Sequence, residues 1–185
     1  MRPVQAIALV GLLASPPSAA AQKHGSHQHA MQHHGAPAQP YAGLEQRGVK
    51  GLSDQQIADL RAGRGMGLAL PAELNGYPGP LHVLEHADAL NLTDAQRSRA
   101  KALLDEMKAE TIPMGERVIA EETALDGLFA EKRINSATLP EVTGRIAAAQ
   151  GRLRAAHLRY HLTMREDLTP EQGSRYNELR GYGMR

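Results

Sequence analysis

The chain has 185 residues, with 21 Lys and Arg against 20 Asp and Glu, nine His and no Cys. A balance this close to neutral argues against nucleic acid held by bulk electrostatics, and without Cys there is neither a disulfide framework nor a lipid-modified cysteine anchor. One Phe, no Trp and five Tyr leave the core to Leu, Ile, Val, Met and Ala, a composition that suits packed helices better than stacked sheets.

In chain order, residues 1–21 read as a cleaved secretory signal. Arg2 gives a minimal basic start, Ala6 to Ala14 supply the apolar stretch, and Ala19-Ala20-Ala21 is a small-residue cleavage site. The apolar run is too short to span a bilayer, so an exported, soluble protein is expected. Residues 22–51 read as a disordered tail and linker. His24, His27, His29, His33 and His34 fall within eleven residues of it, enough imidazole to scavenge metal without a fold. Cleavage after Ala21 would leave Gln22-Lys23-His24 at the N-terminus, where amine, two amides and imidazole form a square-planar Cu(II) or Ni(II) chelate.

The folded domain is expected over residues 52–182. A first short helix starts at Ser53, where Ser53-x-x-Gln56 is a capping box and Leu52 can staple onto Ile57. Gly63, Gly65 and Gly67 end it, and a Gly- and Pro-rich loop leads to a helix over about 81–90. A long helix follows from Asp94 to about Glu131, kinked or split by Pro113. Residues 132–138 read as a hairpin turn, with Pro140 at a first helical position. The next helix runs to about Asp167, with Val142, Ile146, Ala149, Leu153, Ala156, Tyr160 and Met164 forming one buried stripe. Pro170 opens a last short helix.

One phrase occurs twice. His82-x-x-x-His86 precedes Leu92-Thr93-x-x-Gln96, and His157-x-x-x-His161 precedes Leu168-Thr169-x-x-Gln172. Thr-x-x-Gln marks a helix start, while imidazoles four apart on a helix share a face and can grip one ion. Folding the chain about residue 135 brings both His pairs toward one end of the hairpin. The plainer account of these histidines is that they edge the buried stripe and make ordinary hydrogen bonds. Met66, Met107, Met114 and Met164 likewise read as core fillers. Arg145, Arg152 and Arg159, seven apart, read as a solvated face that could also attract unfolded clients. No nucleophile elbow, phosphate loop or His-Glu-x-x-His string is present, so no enzyme and no organic cofactor are expected.

With its signal, its lack of Cys and two Leu-Thr-x-x-Gln motifs flanking a helical hairpin, the chain resembles the Spy/CpxP family of periplasmic stress proteins over roughly residues 52–182. The resemblance implies an all-α fold, a long antiparallel helical hairpin with shorter flanking helices, in the periplasm of a Gram-negative bacterium. It implies a homodimeric, ATP-independent chaperone for unfolded exported proteins, or alternatively a heavy-metal sensor or buffer with a membrane-bound regulatory partner. In the sensor branch a His-x-x-x-His pair, a carboxylate and a His-x-x-x-Met pair hold the ion. Carried onto this chain, these become His82 and His86, a carboxylate among Glu106, Asp105 and Glu85, and His157. His161 stands in the methionine's place and Met164 lies three residues on. Imidazole for thioether there shifts the preference toward Zn(II), Cu(II), Ni(II) or Co(II).

Overall fold

The computed structural model describes residues 39–183, and these are helical, with no strand among them. A single 3-10 turn, Leu44–Gln46, precedes α1 (Asp54–Arg61), α2 (Leu70–Glu73), α3 (Pro80–Glu85), α4 (Asp94–Ala130), α5 (Thr138–Glu166) and α6 (Pro170–Leu179). The readings of residues 1–38 lie outside the described residues. Among the described residues no helix is long and apolar enough to cross a membrane.

Helices α4 and α5 form the antiparallel hairpin. Every member of the stripe from Val142 to Met164 is buried, and Glu110 meets Arg159 and Tyr160 across the pair, as folding about residue 135 requires. Pro113 neither splits nor ends α4, which runs unbroken for 37 residues. It sits on the exposed face, one turn after the exposed Ala109, so the carbonyl it leaves without a partner can be hydrated. Helix α5 starts at Thr138, two residues ahead of Pro140, and the turn before it is closed by Asn135. Its Oδ1 accepts from the backbone N–H groups of Ala137 and Thr138 at 2.9 and 3.0 Å, satisfying donors that a helix start leaves orphaned.

All three Ser/Thr-x-x-Gln strings form complete capping boxes, at Ser53, Thr93 and Thr169. The last two also grip each other. Gln96 Nε2 donates to Gln172 Oε1 at 2.8 Å, and Gln172 Nε2 donates back to Gln96 Oε1 at 3.0 Å. Each amide donates its second hydrogen to a backbone carbonyl near the other motif, Asp167 at 2.9 Å and Leu90 at 3.3 Å. This clasp ties the start of α4 to the start of α6 over the open end of the hairpin. Beneath it lies one core cluster, including Val83, Leu90, Leu92, Leu103, Met107, Tyr160, Met164, Leu168 and Tyr176. Each large apolar side chain so buried contributes about 1.5–3 kcal/mol.

A second cluster lies further along the hairpin, where α1 crosses α4. Gly115 makes the crossing close, since a Cβ there would come within 2.6 Å of the Leu60 carbonyl oxygen. Val49 and Leu52 pack into this cluster with Leu60, Val118, Ile119, Ala149 and Leu153, and Lys50 pairs with Asp126 at 3.1 Å. The packed region therefore begins upstream of the expected linker boundary at 51, because Val49 has apolar surface to bury.

Two further differences bear on the site. The expected helix over 81–90 stops at Glu85, with His86 as its C-cap. The chain then turns through Asn91 at φ 50° to reach the Thr93 cap. The loop before it contains the short α2, started by Pro71 near its N-terminus. That turn of helix carries Glu73, a carboxylate buried against α6.

Candidate metal-binding site

The 63–82 segment folds back over the middle of α4 and the C-terminal half of α5 and lines a half-open cavity of about 500 Å3. Met66, Glu73, His82, Met107, Lys108, His161, Arg180 and Tyr182 are among its lining residues. The two imidazoles here share one arrangement. His82 Nδ1 lies 2.9 Å from Glu85 Oε2, and His161 Nδ1 lies 2.7 Å from the backbone carbonyl of Tyr77. A carbonyl or carboxylate oxygen only accepts, so each ring must carry its proton on Nδ1. In its neutral form an imidazole anchored in this way offers its Nε2 lone pair, the tautomer and anchoring that metal-ligating histidines show.

Gly79 packs closely on one of these rings. A Cβ there would lie 2.8 Å from His161 Nε2 and 2.9 Å from its Cε1, so no side chain fits at 79 unless the imidazole moves. Pro78 and Pro80 on either side fix this approach, and Gly79 N–H is tied to Glu73 Oε2 at 3.3 Å. Glu73 is a hub. It accepts from the Tyr176 hydroxyl, from Tyr182 Oη at 3.1 Å, and lies 3.5 Å from Arg180 Nε and 3.7 Å from His161 Nδ1. Burial and the adjacent Glu73 carboxylate push the Tyr176 hydroxyl well above its ordinary pKa, so Tyr176 remains a donor.

The other sequence-derived residues are placed elsewhere. His157 is buried one turn before His161, and its Nε2 has no hydrogen-bond partner. Burial, and secondarily the neighbouring His161, holds its pKa below the ordinary imidazole value. His86 does not share the cavity with His82. At the C-cap its ring packs edge-on against Tyr176, with centroids 6.3 Å apart. Met164 is fully enclosed in the core, and Glu106 lies outside the cavity, 3.9 Å from Arg99. Asp105 pairs with Lys101 at 2.5 Å. Among the described residues no three His, Asp or Glu side chains converge as a metal cluster. The Arg stripe is not a free cationic face either. Arg145 is held by Glu121 at 3.0 Å and Glu141 at 2.9 Å, and Arg159 by Glu110, while Arg152 is exposed.

A family described as heavy-metal resistance matches residues 66–175, more than half of the chain. The chain belongs to the heavy-metal resistance family. That family is related to helical periplasmic proteins of the Spy/CpxP type. No curated protein and no solved structure matches the chain. The heavy-metal resistance region begins at Met66 and takes in His82, Met107, His157, His161 and both Leu-Thr-x-x-Gln motifs. It stops just before Tyr176, Arg180 and Tyr182, the residues that grip Glu73.

Sequence reasoning reached His82 and His161 but missed Glu73, Gly79, Tyr77 and the cavity role of Met66 and Met107. One signal was available: Glu73 is the lone carboxylate between Gly63 and Pro80. Glycine between two prolines was another.

Proposed function

We propose that the protein is a non-enzymatic, periplasmic, metal-binding component of a heavy-metal resistance system, acting as a buffer or sensor. The observation that carries this reading is the pair His82 and His161, both on the wall of one cavity and each anchored through Nδ1. The orphaned Nε2 of His157, one turn before His161, fits the same use. Zn(II), Cu(II), Ni(II) and Co(II) all suit imidazole nitrogen. Sensing would follow from the His161 ring, which faces the ion with Nε2 and Tyr77 and Glu73 with Nδ1. An ion on Nε2 strengthens the Nδ1–H as a donor, biasing how Glu73 holds Tyr176, Arg180 and Tyr182. A homodimer or a membrane-bound regulatory partner would read that change.

Calorimetric titration with Zn(II) tests the site in the full chain with the five tail histidines changed to alanine. Binding that is lost in H82A/H161A is expected. Binding unaffected by that pair would overturn the reading.

The chaperone reading has its own observation. Leu70, Leu74, Tyr77 and Leu81, from α2 to the start of α3, are exposed, apolar surface of the kind that holds unfolded chains weakly. Suppression of aggregation of an unfolded test protein by the metal-free chain would support it. No suppression in any metal state would leave the buffer or sensor.

A further inference from the structure

We propose that the cavity takes a soft monovalent cation, Cu(I) or Ag(I), through the thioethers of Met66 and Met107 together with the imidazoles of His82 and His161. The inference rests on the metal-binding reading above and names the class of ion. Both methionines line the cavity that His82 and His161 line. They come from different elements: Met107 is buried on α4 and Met66 is 41% exposed in the loop. Met66 is not placed as a core filler. It stands between Gly65 and Gly67 with φ at 44°, a left-handed conformation that a non-glycine residue rarely adopts.

Softness and charge point the same way. Thioether sulfur binds soft ions and adds no charge, and two neutral imidazoles add none either, so the set leaves an ion's full charge in place. A doubly charged ion held by neutral donors in a partly enclosed cavity is costly to desolvate. Glu73 is the one carboxylate on the cavity wall, and Tyr176, Tyr182, Arg180 and the Gly79 N–H already engage it. Arg64, Lys108 and Arg180 put positive charge on the same wall, which opposes a doubly charged ion twice as strongly as a singly charged one. Glu85 stands behind His82, matching one positive charge rather than two. Methionine's three rotatable bonds let both sulfurs close on an ion in a space wider than the ion itself.

The chain has no Cys, so every sulfur donor is a methionine and can be followed by its methyl resonance. The test is an Ag(I) titration of the full chain with the tail histidines changed to alanine, read by methionine-methyl NMR. M66L and M107L assign the two signals. The Met66 and Met107 methyls should shift and saturate at one equivalent, and M66L/M107L should lose at least about ten-fold in Ag(I) affinity. Unmoved methyls, or unchanged affinity in the double variant, would overturn the proposal. M66L alone, at an exposed position, should still weaken Ag(I) binding if M107L unfolds the chain. Zn(II) bound at His82 and His161 with both methyls unmoved by Ag(I) would sink the choice of ion and leave the metal-binding reading standing. Ag(I) and Zn(II) binding both indifferent to H82A/H161A would sink both.

Discussion

The two ends of the hairpin are built differently. At the open end five helices converge: α2, α3 and α6 close on α4 and α5 around one core cluster, a buried carboxylate hub and the Gln96–Gln172 clasp. At the turn end no further helix among the described residues packs on α4 and α5, Lys50 reaches in only to Asp126, and Phe129 and Leu139 stand exposed beside a local Arg133–Glu131 pair. The cavity, its glycines and both anchored histidines lie toward the first end. Holding ligand groups in place requires supporting contacts, and only the open end supplies them from several elements at once.

This contrast can be broken by mutation. The largest effect is expected from Glu73→Ala, which strands the buried Tyr176 hydroxyl and removes the partner of Tyr182, Arg180 and Gly79 N–H. A loss of about 3 kcal/mol or more in urea unfolding is expected. A loss under about 1 kcal/mol would mean that the hub does not hold the open end together.

Next comes the clasp. Gln96→Ala and Gln172→Ala should each cost about 1–2 kcal/mol, as a lost cap and lost amide bonds. In a double-mutant cycle they should couple by about 1 kcal/mol. Additive losses would reduce the clasp to two independent caps.

Acidification should separate the regions by pH. The folded-state pKa of His157 is depressed, mainly by burial, so the unfolded chain binds a proton more readily. Its stabilising contribution is complete above the unfolded imidazole value of about 6.5 and declines as pH falls from there toward the folded value. Midway along the hairpin, Glu121 is held below the ordinary carboxylate range by Arg145 first, with Arg117 adding to it. Its contribution is complete above the unfolded carboxylate value and is lost only as pH falls through its lower folded one. Hydrogen exchange on the metal-free protein should therefore show weakened protection around α5's C-terminal half at mildly acid pH, before residues near Glu121 respond. Simultaneous loss would contradict the assignment.

The smallest effect is expected at the turn. Phe129→Ala and Leu139→Ala should each change stability by no more than about 0.5 kcal/mol. A larger loss in dilute protein would show that the turn end is packed, and a loss that grows with concentration would place it in a contact between copies.

Much of the hairpin was legible because its signals are local. Caps at Ser53, Thr93 and Thr169 are read over four residues, the stripe from Val142 to Met164 over its own period, and the register follows from one turn. The site was legible only in part. His82 and His161 carry a recognisable spacing, but what selects them over His86 and His157 is the early stop of α3 and the path of the 63–80 loop. That path has no periodicity. It is set by Glu73 finding Tyr176 103 residues away and by Gly79 passing close to His161, contacts that no window of neighbouring residues contains. Pro113 misled for a related reason, since its cost depends on whether the freed carbonyl meets water or core.

The clasp also bears on why the repeated motif ends in glutamine. Glutamate closes a capping box equally well, since only a side-chain oxygen is required. In this fold each of the two amides uses all four of its hydrogen-bonding valences. Oε1 of Gln96 accepts from Thr93 N–H and from Gln172, and Oε1 of Gln172 accepts from Thr169 N–H and from Gln96. Both hydrogens of each amide are given away across the junction. An ionised carboxylate has no hydrogen to give. A single glutamate would therefore keep its own helix start intact and could still accept from the other amide but give nothing back, making the amide the part of the motif that speaks for the tertiary fold.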